Sequence, residues 1–309
     1  MDSVLIYYLV DFNKNNKQVF YLEGSVFILS STVLTEDNII NNLRADCENC
    51  FGLCCVALPY AKSADFAFDK EGGIPCRNLQ SNYLCGIHSN LRNKGFRGCS
   101  AYECFGAGQK VSKITYNGKD WRTNKDVSKE MFEVYPIMQQ LHEMLWYLNE
   151  ALMNDAAKTI YKELILCFAE TEELSYKSPE IIKSIDVSEH RSQVNRLLTH
   201  TSELVRAQIT KKQQKSTQRG MDFIGAKLKG ADLRGENLRG AFFIAADLRN
   251  ADLRYSDFIG ADFRDADISG ANLTGSIFLT QAQVNAAKGN KHTKLPRTLA
   301  RPAHWEQKE

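Results

Sequence analysis

Eight of the chain's nine cysteines lie between Cys47 and Cys104. They run Cys47-x2-Cys50-x3-Cys54-Cys55, then Cys76, Cys85, Cys99 and Cys104. A thiolate is a soft ligand, and sets of four favour tetrahedral zinc or an iron–sulfur cluster over magnesium or calcium. Eight thiols suffice for two such sets. Adjacent side chains such as Cys54 and Cys55 diverge on most backbones, so two sites, or one polynuclear cluster, fit better than a single ion. Glycines at Gly52, Gly72-Gly73 and Gly98 supply the permissive backbone that wrapping a metal demands. Disulfides are the competing use, and they belong to oxidising compartments. Met1 to Ser3 form no basic n-region, the apolar run Val4 to Val10 stops at Asp11, and no stretch approaches the ~18 apolar residues of a membrane span. The expectation is a soluble cytoplasmic protein whose thiols stay reduced.

Other candidates carry less. Cys167 lies on an apolar helical face beside Leu164 and Phe168, where a free cysteine behaves as a small buried hydrophobe. His142 falls inside a helical pattern and reads as a packing or surface residue. His88 has zinc-finger spacing from Cys85, which leaves it open as a ligand. Gly106-x-Gly108 is too short for a phosphate or dinucleotide fingerprint, and no nucleophile elbow or Walker sequence is present.

The 309 residues allow two or three domains, and 43% hydrophobic content is enough for ordinary cores. A net charge of +2 singles out no partner class. Residues 1–44 carry three apolar or β-branched runs, Val4 to Val10, Val19 to Leu22 and Val26 to Leu29, and read as a small β-meander or an extension of the cysteine region. Residues 45–125 hold the cysteine cluster. From 126 to 212 the period becomes helical: Phe132, Tyr135, Met138, Leu141, Leu145, Leu148 and Leu152 share one face. Pro136 places the start of that helix just before itself. Tyr161 to Phe168, an N-terminus at Ser178-Pro179, and Val194 to Ile209 complete a helical bundle. Lys211 to Gly220 reads as a linker.

From Met221 to Thr280 the chain repeats every five residues. Phe223, Leu228, Leu233, Leu238, Phe243, Leu248, Leu253, Phe258, Phe263, Ile268, Leu273 and Phe278 hold one register, with a small residue, mostly Ala, two positions earlier. A period of five fits neither helix nor flat strand. It demands a solenoid in which four quintets close one coil and large residues stack on large. Charges at intervals of twenty, such as Arg234 and Arg254 beside Asp232 and Asp252, read as a self-neutralising solvated face. Thr280-x-x-Gln283 has capping-box spacing and opens a short helix ending near Gly289, which covers the last coil. The solenoid and its cap thus span 221–289. Residues 290–309 form a basic tail with Trp305, either loose or laid against another domain, and its single aromatic residue argues against a nucleic-acid arm.

The quintets resemble the pentapeptide-repeat family, over 60 residues, and the resemblance implies a right-handed quadrilateral β-helix. The segment Cys47 to Cys104 resembles the YkgJ-like cysteine-cluster family of zinc- or iron-chelating proteins. The matching residues are Cys47-x2-Cys50, Gly52, Cys54-Cys55, Pro75-Cys76-x2-Leu79, Cys85-x-Ile87, Cys99 and Cys104. That family usually has tyrosine where this chain has His88, which weakens His88 as a ligand. The resemblance extends to flagellin lysine methylases, whose related segment is associated with an iron–sulfur cluster. The expected cofactor is therefore an iron–sulfur cluster or zinc, held by Cys47, Cys50, Cys54, Cys55, Cys76, Cys85, Cys99 and Cys104.

The expected architecture is α+β and multidomain: a loop-rich metal domain, a helical bundle and the β-helix. The expected function is a cytoplasmic metal-binding protein whose β-helix meets a protein partner, with no membrane association. The alternative is a metal-dependent redox or group-transfer enzyme. Imitation of DNA toward gyrase needs a long acidic rod, whereas the three coils carry nine acidic and seven basic residues.

Overall fold

The computed structural model describes residues 10–12, 17–22, 25–29, 41–209 and 220–305. Strands β1 (Val10–Phe12), β2 (Lys17–Leu22) and β3 (Ser25–Leu29) pair in the antiparallel order β1-β2-β3, with Val10 opposite Val19 and Leu22 opposite Ser25. The rest of the run Val4 to Val10, and Lys211 to Arg219 of the expected linker, lie outside the described residues.

The cysteine segment is mostly loop, with single helical turns at Cys47–Asn49, α1 (Leu53–Val56), His88–Asn90 and α2 (Arg97–Ala101). Next come the short turn α3 (Ala107–Gln109) and a π-helical turn, Lys110–Thr115. The long helices are α4 (Lys125–Leu152), α5 (Tyr161–Ser175) and α7 (Val187–Arg206), with the short α6 (Pro179–Ser184) before the last. Pro136 does not mark the start of α4; it lies well inside. Proline deletes one backbone bond and costs roughly 3 kcal/mol in a helix interior. Met131, Val134 and Tyr135, all N-terminal to it and at most 1% exposed, bury enough apolar surface to carry the helix through.

Residues 221–277 wind into stacked coils of twenty residues. Each coil makes four parallel bridges to the next: Asp222 to Phe242, Lys227 to Asp247, Asp232 to Asp252 and Asn237 to Asp257. The chain turns after every bridge, so these pairs stay isolated and regular strand content is small. The large residues stack as the period requires: Phe243 lies 4.9 Å from Phe223 and 5.2 Å from Phe263, ring centroid to centroid. Every fifth residue from Gly220 to Gly275 takes a positive φ. Glycine fills most of these corners, while Ala245, Asn250, Tyr255 and Asp265 adopt the same conformation. On the outer face Asp232–Arg234, Asp247–Arg249, Asp252–Arg254 and Asp262–Arg264 form two-residue ion-pair clasps.

Thr280 and Gln283 form the capping box of α8 (Gln281–Ala286). Residues 288–294 then extend the ladder through Lys288 and Lys294. Trp305, 5% exposed, donates from Nε1 to the Ala287 carbonyl at 3.1 Å, so the described part of the tail is laid down on the last coil. This capped end also meets the helices and the cysteine segment. Tyr147 packs edge-on against Phe278, Arg97 pairs with Asp265 at 2.7 Å, and Arg92 donates to the Asn285 carbonyl.

At the same junction Glu150 accepts the Phe278 N–H at 2.8 Å. Burial pushes its carboxyl up to about 8, with Asp257 adding to the rise and the Phe278 N–H opposing it. A raised carboxyl favours the folded state most below its unfolded value of about 4.3, and that contribution is lost as pH climbs to about 8. Glu150→Gln keeps the acceptor and cannot ionise. Its stability relative to wild type should therefore rise steadily over that window in denaturant titrations at several pH values; parallel curves would refute the assignment.

Candidate metal centre

All nine cysteines are free thiols. Cys76 is buried, Cys47 is exposed, and Cys50, Cys54, Cys55, Cys85, Cys99 and Cys104 are part-buried. The turn at Cys47–Asn49 is capped by Asp46 and carries Cys47 toward Cys50. Gly52, at φ 65°, opens α1, which presents Cys54 and Cys55. The Cys76 N–H donates to the Cys55 carbonyl at 2.8 Å, and Leu79 bridges to Cys85, so three distant stretches of chain are tied together.

The thiols influence one another in two neighbourhoods. Burial pushes the Cys99 thiol up to about 12, followed by Cys55, Cys76 and Cys85. Burial and Glu103 push Cys104 up to about 12, with Cys50 contributing. Cys54 is raised first by its bond to Cys55 and then by burial, Cys50 and Cys104 adding to it. Cys47 is raised by burial and next by Cys50. These interactions allow a grouping of Cys55, Cys76, Cys85 and Cys99 on one side and Cys47, Cys50, Cys54 and Cys104 on the other, although Cys55 also raises Cys47 and Cys50. The adjacent Cys54 and Cys55 join them, Cys54 holding its proton against Cys55, whose own thiol is lowered.

A second regularity concerns the sulfur atoms themselves. Cys76 Sγ accepts the Asn78 N–H at 3.5 Å and the Tyr60 hydroxyl at 3.3 Å. At Cys50, Cys85 and Cys104 burial raises the thiol, and nearby backbone N–H groups oppose the rise: those of Leu53 and Gly52, of Ile87, and of Gly106 and Gly108. Such bonds favour the thiolate over the thiol, and they surround sulfur that ligates metal. Gly108 permits one of them: a Cβ there would stand 2.6 Å from Cys50 Sγ.

Lys70, 6% exposed, lies among these thiols. Its ammonium donates to the carbonyls of Val56, Leu58 and Glu71 at 3.0, 2.6 and 3.0 Å. Burial lowers Lys70, opposed by Cys76, Cys55, Cys54 and Cys99, so its ammonium is placed to offset negative charge on those sulfurs if they ionise. Nothing in the residue pattern signals this, because Lys70 stands between Asp69 and Glu71 and reads as surface. Lys70→Met is expected to weaken metal retention by about 10- to 100-fold in chelator competition, the usual effect of losing a group that supports a ligand. Unchanged retention would remove Lys70 from the centre.

The donor chemistry fits a soft metal, in number, in kind and in the bonds to sulfur. Among the described residues, no group of three or more His, Cys, Asp or Glu side chains is placed to hold a metal ion. His88 is exposed, its N–H donating to the Cys85 carbonyl at 3.2 Å. His142 is buried, its Nδ1 2.7 Å from the Phe105 carbonyl, and burial lowers it to about 4. Cys167 is buried, 8% exposed, in the helical core. No helix among the described residues is long and apolar enough to cross a membrane.

The family model for pentapeptide repeats matches residues 219–254 and 243–278, with eight copies. A solved pentapeptide repeat protein from Nostoc Pcc 7120 is 28% identical, over 26% of this chain and 85% of its own, with a TM-score of 0.13. The repeat assignment stands on the family match together with the twenty-residue ladder. The uncharacterized protein YybG of Bacillus subtilis (strain 168) is 67% identical over 279 residues, which is 90% of this chain and 100% of that protein. The chain therefore belongs to the YybG family, as a helical protein with pentapeptide repeats in its C-terminal region.

Proposed function

We propose that the protein is a cytoplasmic metalloprotein whose cysteine module binds soft metal in two four-thiolate centres, Cys47/Cys50/Cys54/Cys104 and Cys55/Cys76/Cys85/Cys99. The metal is an iron–sulfur cluster or zinc. It would supply local folding energy in either case, and electron exchange if it is iron. The observation that carries the reading is Cys76 Sγ accepting both the Asn78 N–H and the Tyr60 hydroxyl, alongside backbone N–H groups that favour the thiolate at Cys50, Cys85 and Cys104. The solenoid, in this reading a right-handed quadrilateral β-helix, offers its exposed sides to a protein partner. Its C-terminal end is occupied by the packing of α8, Tyr147 and Arg97.

Anaerobic purification followed by metal and acid-labile sulfide analysis tests it. Two zinc ions per chain, or iron with matching sulfide, is the expected result. A folded chain free of metal and sulfide would defeat the proposal.

A further inference from the structure

A cavity of about 350 Å³ opens between the cysteine segment and the helices, with no cysteine in its lining. Leu43, Leu145 and Phe168 give it apolar walls, and Lys110, Lys113, Asp46 and Glu172 line it with charge. Clefts between chain segments, mostly apolar with a few convergent polar groups, are the usual form of small-molecule sites. The π-helical turn that begins at Lys110 sets the wall. Such turns are rare and recur at functional sites.

Lys110 is held in an unusual way. Its Nζ lies 2.8 Å from the centroid of the Tyr176 ring, and Tyr176 is 47% exposed, so the ring screens the amine from water. Burial lowers Lys110 to about 7, with Glu172 opposing, and burial raises Glu172 to about 6, with Lys110 opposing. The buried His142, which also lines the cavity, is engaged with Phe105 and adds no positive charge near neutrality. A desolvated lysine beside a carboxyl is the arrangement in which an amine acts as a nucleophile toward carbonyl carbon.

We propose that this cavity binds a small carbonyl compound bearing a carboxylate, and that Lys110 Nζ condenses with its carbonyl carbon. The Nζ lone pair adds to the carbon and an Nζ proton passes to the oxygen, giving a neutral carbinolamine. Glu172 protonates the hydroxyl, which leaves as water as the nitrogen lone pair forms C=N, and the Glu172 carboxylate takes the remaining Nζ proton to leave a neutral imine. No oxidant or reductant takes part, and water reverses the step. Lys113 supplies the positive charge for the ligand's carboxylate. No cysteine participates, so the inference stands or falls apart from the metal proposal.

The test is incubation of the full chain, as purified, with glyoxylate and sodium cyanoborohydride at neutral pH, followed by peptide mass spectrometry. The first adduct should form on Lys110, at least about tenfold faster than on any other lysine, because its free-base fraction is far larger than that of an ordinary lysine. Glu172→Gln should slow it several-fold while leaving the circular dichroism unchanged, and propanal, lacking the carboxylate, should react less selectively. Adducts spread over lysines according to exposure, or a Lys110 that stays unmodified in the folded chain, would overturn the proposal.

Discussion

Replacing Cys76 and Cys85 together with serine is expected to remove about half of the bound metal and to leave the other half in place. Both residues belong to the proposed centre with Cys55 and Cys99; the Cys76 sulfur accepts the Asn78 N–H, and the Ile87 N–H favours the thiolate at Cys85. Replacing Cys50 and Cys104 should remove the complementary half. The effect on folding should be large. Between Cys47 and Cys104 the apolar side chains buried are few, chiefly Leu53, Val56, Leu91 and Phe96, at roughly 1.5–3 kcal/mol each. A structural tetrathiolate site contributes ~10–16 kcal/mol of apparent binding energy near neutral pH, at least on a par with those contacts together. Loss of one centre should therefore expose the segment to limited proteolysis while the repeat region stays resistant. If either pair of substitutions strips all of the metal, the chain holds one shared cluster and the division into two centres is wrong.

The second large effect concerns the solenoid. Phe243 is fully buried and stacks on Phe223 below and Phe263 above, with Phe258 at 6.3 Å. Truncating it to alanine leaves a cavity in the middle of a column whose neighbours are pinned by backbone bridges, so little collapse can fill it. Phe243→Ala is expected to cost about 3–5 kcal/mol, read as a fall in the denaturant midpoint. Its neighbour Phe242 points outward and is 49% exposed, and Phe242→Ala should stay within about 0.5 kcal/mol of wild type. Equal effects at the two positions would mean that the period-five register is misassigned.

The solenoid was legible because one register of large residues repeats without a break, and a period of five admits few backbones. Its corner row was missed. Glycine at 220, 225, 230, 235, 240, 260, 270 and 275 is a visible signal for the positive φ found there. The eight clustered cysteines announced soft-ligand chemistry by composition alone, yet their grouping was not readable. It depends on contacts between stretches far apart, such as Cys76 with Cys55, and on turns whose N–H groups aim at sulfur. Helix faces were readable from spacing. The run of α4 through Pro136 was not, because local proline chemistry and tertiary burial oppose each other there and burial wins. The charge at Lys70 and the junction at Glu150 were hidden for the same reason: in sequence both look like exposed polar residues, and only packing makes them otherwise.

The central claim is that protein sulfur, and little else, grips metal in this chain. X-ray absorption at the edge of the metal found in anaerobically purified protein measures it directly. The account predicts a first shell dominated by sulfur, about four atoms at roughly 2.3 Å. A shell of nitrogen and oxygen near 2.0–2.1 Å would contradict it.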